Sequence, residues 1–119
     1  PLYDLSMLKK DSPENKAFIL RMLTIFIESI PAIVDKMLVH FENAEMDAVS
    51  TLAHKIKPTL DSAGIVSLKE AIRNIEGYRD KRRTKDQMET DLKLLKEIID
   101  KVAILFKYEI ENLSTDAKN

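Results

Sequence analysis

The chain has no cysteine and no tryptophan, and only two glycines and four prolines among its 119 residues. Each shortage excludes something. Without cysteine there are no disulfides, no thiolate nucleophiles and no cysteine-bound metals, which fits a reducing compartment. Walker-type, dinucleotide-binding and kinase loops need several glycines close together so that backbone amides can cradle phosphate. Gly64 and Gly77 stand thirteen positions apart, so nucleotide is not bound in those ways and an enzyme making its own phosphoryl donor is not expected. The formal net charge is −1, so no overall field draws the chain toward nucleic acid or anionic lipid. No signal peptide and no unbroken apolar run of bilayer length is evident, and no direct membrane contact is expected.

What is present suits one compact domain over residues 1–119, with 45% hydrophobic and 33% charged residues. The first residue is Pro1 rather than methionine, as expected of a domain cut from a longer protein or of a processed product. Helical periodicity dominates and nothing alternates with period two. After a short opening turn at Asp4–Lys10, Ser12 and Pro13 read as N-cap and first helical residue. Phe18, Ile19, Met22, Leu23, Phe26, Ile27 and Ile30 form one inward face. Pro31 is expected to interrupt, with a second helix carrying Ile33, Val34, Met37, Leu38 and Phe41 inward.

A third helix keeps Met46, Val49, Leu52, Ala53, Ile56, Leu60 and Ala63 in phase, and Gly64 sits where a left-handed cap belongs. Ser67 with Glu70, and Thr84 with Gln87, read as capping boxes opening two further helices. The longest of these carries Met88, Leu92, Leu95, Ile99, Val102 and Phe106 inward, and residues 114–119 are expected to fray. The expected fold is all-α: an antiparallel up-down four-helix bundle with an additional short N-terminal helical segment.

The stretch "AHKIKPTLDSAGI" breaks this plain pattern. Projected at about 100° per residue, His54 lies about 140° from the apolar line of its helix, and Lys57 about 80° away on the same side. An imidazole is a good nucleophile near neutral pH. A lysine one turn on would pair with an anion carried on the ring, and a phosphoryl group is such an anion. Pro58 costs about 3 kcal/mol in a helix interior, yet Leu60 and Ala63 stay in phase, so the helix is expected to continue through a kink. Broken local rules tend to mark functional positions. By pattern alone, though, a solvent-facing histidine is ordinary surface. His40 takes that reading, near a helix C-terminus whose dipole favours it. No HxxxH or HExxH spacing supports a metal site. The basic run "RDKRRTKD" lacks interleaved aromatics, so it reads as a solvated connection rather than a nucleic-acid surface.

These residues resemble the signature of histidine-containing phosphotransfer (HPt) domains: histidine, two residues, lysine, glycine, then a glycine ten positions after the histidine. His54, Lys57 and Gly64 fall on that frame, and "YDLSMLKK", "FILRMLTIFIESIP" and "ENAEMDAVSTLAHK" look like the family's run-up. The resemblance covers most of the chain up to about Gly77; the last helix matches only in being amphipathic. It implies a helical phosphocarrier in a two-component phosphorelay. His54 would be the phospho-acceptor through its outer ring nitrogen, Lys57 would stabilise the phosphoryl group, and Gly64 would be structural.

The partner implied is a receiver domain of a response regulator or hybrid kinase. That receiver would supply the magnesium, so the chain needs no cofactor and no metal of its own. Pro58 departs from the family's usual glycine and puts partner geometry in question. Ser50, Thr51, Lys55, Pro58 and Asp61 are the expected receiver contacts. A cytoplasmic module, C-terminal in a hybrid sensor kinase or free-standing, is the expectation, with a monomer favoured over a dimer. The rivals are a non-phosphorylated helical adaptor and a dimerising bundle. An acceptor requires His54 exposed beside Lys57; an adaptor could bury it or pair it with an acidic group.

Overall fold

The structure, a computed structural model, describes residues 1–6, 8 and 13–118. Four α-helices follow one another: α1 (Pro13–Glu42), α2 (Met46–Ser62), α3 (Lys69–Glu76) and α4 (Lys85–Lys118), with a 3₁₀ turn at Val66–Leu68 leading into α3. No strand occurs among the described residues. Each helix packs on the next and α4 returns against α1, closing the bundle. Asp35 meets Lys96 at 2.9 Å while Phe26 meets Phe106 at a ring separation of 4.8 Å, so α4 is read upward as α1 is read downward.

The core is dry. Leu23, Val34 and Met37 of α1, Val49, Ala53, Ile56 and Leu60 of α2, Ile72 and Ile75 of α3, and Met88, Leu92, Leu95, Ile99, Val102 and Phe106 of α4 are buried, with no buried polar residue among those described. Burying one such side chain stabilises by roughly 1.5–3 kcal/mol. That magnitude explains why α1 does not stop at Pro31, as the sequence suggested, but runs 30 residues straight through it. Ile30 and Val34 on either side are both in the core, and together their burial outweighs a lost backbone bond of about 3 kcal/mol. The same arithmetic carries α2 through Pro58.

Other expectations are corrected. Phe18 is largely exposed rather than inward, because it lies about 100° from Ile19 and the core is narrower than a seven-residue stripe. The expected N-terminal helical segment falls largely on residues outside those described, as does Ser12; the described part shows one turn, with Leu8 N–H donating to the Leu5 carbonyl at 2.9 Å. Ser67 does not cap α3: the 3₁₀ turn leads directly into it without a side-chain cap. Thr84 and Gln87 do form their box, each side-chain oxygen accepting from the other's backbone N–H at 3.1 and 2.9 Å. α4 is helical to Lys118. The stretch Asn15–Glu42 is long and apolar enough to cross a membrane by length and composition, contrary to the sequence reading; it also supplies the buried residues of α1.

Gly64 ends α2 as expected. Its φ is +66°, its N–H donates to the Asp61 carbonyl at 3.0 Å, and Ile65 N–H reaches back to Leu60 at 3.1 Å. This is the paired Schellman closure of a helix end. A β-carbon at Gly64 would lie 2.5 Å from the Asp4 carbonyl oxygen, since the N-terminal segment passes there and Asp4 N–H donates to Ala63.

Candidate functional site

One stripe of α2 faces α3, and its polar residues form a ladder between the two helices. At the N-terminal end Asp47 accepts from Tyr78 Oη at 2.6 Å and from Arg79 at 2.7 and 2.9 Å. One turn on, Ser50 donates its hydroxyl proton to the backbone carbonyl of Glu76 at 2.5 Å. His54 and Lys57 come next, and at the C-terminal end Asp61 takes a two-pronged grip from Arg73, at 2.8 and 3.3 Å. The spacing of three and four residues puts all five on one face.

The middle rungs share one acid. His54 Nδ1 lies 2.5 Å from Glu76 Oε1, and Lys57 Nζ lies 2.7 Å from the other oxygen, Oε2. Lys57 holds the Glu76 carboxyl below its ordinary range, with His54 contributing and partial burial opposing. Glu76 is therefore a carboxylate near neutral pH. A carboxylate only accepts, so the proton between it and His54 belongs to Nδ1. That fixes the tautomer and leaves Nε2 as the ring nitrogen with a free lone pair. The imidazole side chain is 72% exposed while Glu76 and Lys57 are largely covered, at 23% and 26%. The site thus offers one accessible nucleophilic nitrogen, with a carboxylate behind the ring and an ammonium beside it.

The sequence placed His54 and Lys57 together and outside the core, and the structure does the same. Its test between acceptor and adaptor comes out mixed, since His54 is both exposed and paired with an acid. The pairing uses Nδ1, and Nε2 stays clear of it. Thr51, Lys55, Pro58 and Asp61 are exposed. Thr51 returns its hydroxyl to Asp47 of its own helix. Asp61 is committed to Arg73, which holds its carboxyl low. Ser50 is half-buried and turned toward α3 rather than outward.

Glu76 was missed. It stands 22 residues from His54 and no spacing rule connects them. One signal was available: an acid as the last residue of a short helix opposes the helix dipole, a local misfit with no gain visible in α3 alone. Among the described residues no group of three or more His, Asp or Glu side chains could hold a metal ion. A cleft of about 330 Å³ at the far end of α2, bordered by Asp61, Ser62, Gly64, Ile65, Val66 and Lys69, does not include His54.

Comparison with known proteins gives one match. The family model for the Hpt domain fits residues 21–105. The fit begins after the "YDLSMLKK" stretch and extends well beyond Gly77 into α4, further than the sequence resemblance reached. Neither a curated protein nor a solved structure gives a significant match. The matched segment spans most of the chain and contains every rung of the ladder, from Asp47 to Arg79. The chain belongs to the Hpt domain family, helical bundles with a phosphotransfer role in two-component phosphorelays.

Proposed function

We propose that this chain is a phosphocarrier whose acceptor is Nε2 of His54, on an antiparallel up-down bundle that lacks a nucleotide site of its own. The observation that carries this reading is the exposed ring held at Nδ1 by Glu76 with Lys57 alongside. A phosphorylated receiver domain brings an aspartyl phosphate. The Nε2 lone pair forms a bond to phosphorus as the bond to the aspartate oxygen breaks, and the carboxylate leaves with that electron pair. No proton need move in this step: Nδ1 keeps its own, and the ring becomes cationic against the Glu76 carboxylate. Transfer onward is the same step reversed toward a second receiver.

Phosphoryl transfer asks mainly for position and charge compensation. Lys57 can supply the latter once it swings from Glu76 to the phosphoryl oxygens, which carry close to two negative charges. Magnesium is the receiver's contribution. Receivers of response regulators or hybrid kinases are the partners this reading requires, with no role for nucleic acid or direct membrane contact. Thr51, Lys55 and Pro58 border the acceptor on the exposed face and are its first contacts with a receiver. We place the domain in the cytoplasm, as a monomeric module of a hybrid sensor kinase. The adaptor reading draws on the same acid pairing, but a surface that only binds has no need for an ammonium sharing that acid.

The deciding experiment mixes the protein with a phosphorylated receiver and magnesium and follows intact mass and acid lability. Acid-labile phosphate on the wild type and none on His54→Gln is the expected result. No label from any of a panel of receivers, with helicity intact, would favour the adaptor.

A further inference from the structure

The hydroxyls of Thr24, Ser29, Thr51 and Thr90 all donate to the carbonyl four residues back in their own helix. This is the ordinary local outlet for a helical serine or threonine. Ser50 does otherwise. One turn before His54 on α2, it gives its proton to the carbonyl of Glu76 on α3. Glu76 is the last residue of an eight-residue helix, so its carbonyl is among the terminal ones with no donor inside the helix. A helix so short is prone to fray from that end. Glu76 also carries the carboxylate that bridges His54 and Lys57. The backbone of the bridging residue is thus anchored by the same helix that carries the ring.

We propose that Ser50 is a positioning residue for phosphoryl transfer, pinning Glu76 so that its carboxylate holds the Nδ1–H tautomer of His54 and leaves Nε2 free to react. This deepens the phosphocarrier reading and rests on it for the transfer step. Ser50 acts through Glu76 and does not touch the phosphoryl group. Without the pin, the end of α3 loosens, the carboxylate samples other positions, and the neutral ring divides between its two tautomers. Nε2 then carries the proton part of the time and cannot attack.

The test has two arms. In the first, the protein labelled with ¹⁵N-histidine is examined by NMR at about pH 8, where an ordinary imidazole is neutral. Wild type is expected to show a protonated Nδ1 and a bare Nε2 at His54. Ser50→Ala is expected to move both nitrogens toward the average of the two tautomers, Glu76→Gln to do so at least as far, and Ser50→Thr to restore the wild-type pattern. In the second arm the phosphodonor is phosphoramidate, which needs no docking surface: Nε2 attacks phosphorus, the P–N bond breaks, and ammonia leaves. Ser50→Ala is expected to slow labelling by about fivefold, the worth of one ordinary hydrogen bond, with receiver affinity and helicity unchanged.

A wild-type tautomer and labelling rate in Ser50→Ala would overturn the proposal. So would weakened receiver binding with the tautomer unmoved, which would make Ser50 a docking residue. If the wild type takes phosphate from neither donor, the carrier reading fails, while the tautomer comparison still decides for or against Ser50.

Discussion

Both histidines of this chain hold a glutamate through Nδ1. His40, in the last turn of α1, meets Glu45 at 3.1 Å across the short loop to α2; His54 meets Glu76 at 2.5 Å across two helices. An Nδ1–carboxylate pair is therefore not peculiar to His54. The difference lies around the pair. The His40 side chain is 36% exposed against 72% for His54, and only at His54 does a lysine share the acid. His40 and Glu45 are joined by a local turn that any helix end can provide. The second pair exists because α2 and α3 are packed face to face and pinned at intervals.

Exchange of the two rings gives the widest separation. His54→Gln is expected to abolish phosphohistidine, and His40→Gln to leave labelling at the wild-type level. Phosphate retained by the first or lost by the second, as read by mass, would break the distinction.

Removing the shared lysine makes the His54 pair resemble the His40 pair. Lys57→Ala is expected to slow receiver transfer or shorten the phosphohistidine lifetime on the order of tenfold, the worth of a charge-assisted hydrogen bond. Wild-type kinetics in both respects would remove Lys57 from the mechanism.

Acid probes the same grip from the other side. The Glu76 carboxyl titrates below its ordinary value of 4.5 in the folded chain, chiefly because of Lys57. The unfolded chain therefore takes up that proton first. The resulting stability is fully present above 4.5 and is lost as pH falls through the lower, folded value. With the site partly solvated, the contribution is under about 1 kcal/mol. Denaturant unfolding at pH 6 and at steps below pH 4.5 should show a steeper fall for wild type than for Glu76→Gln. Parallel curves would mean that Lys57 does not grip the acid in solution.

The smallest effect concerns the loop that makes the His40 pair. Ala44 sits there with φ 59°, closing α1 with the same two hydrogen bonds that Gly64 uses to close α2. Ala44→Gly should therefore stabilise by about 0.5–1 kcal/mol, the left-handed strain relieved less the cost of a freer chain. Thermal unfolding would measure it, and a loss of stability would show that Ala44 packs usefully.

The two helix ends also show what was legible in the sequence. Gly64 was readable because a glycine just past an apolar period has few other meanings. Ala44 was not, because alanine there is tolerated only where the space beside it is open. The placement of His54 beside Lys57 outside the core was readable from helical phase, and their reading as a phospho-acceptor and its partner came from the resemblance to HPt domains. Ser50's bond to α3 was not legible, because a projection shows which way a side chain points and not which neighbour fills that direction. Glu76 needed the packing of α3 on α2 before it meant anything. Pro31 misled for a similar reason, since its penalty is local and the burial that outweighs it comes from other helices.

Two consecutive residues of the N-terminal segment fasten it to two different helices. Asp4 bonds the end of α2 beside Gly64, and Tyr3 donates to Glu109 at 2.7 Å with its ring edge-on to Phe106 of α4. Burial and that acid push the Tyr3 hydroxyl up to about 12, so the fastening keeps its proton through the physiological range. The segment is a staple between the end of α2 and α4. Tension applied ahead of Tyr3 arrives at the C-terminal end of α2 and at α4 together, through the Asp4 and Tyr3 hydrogen bonds.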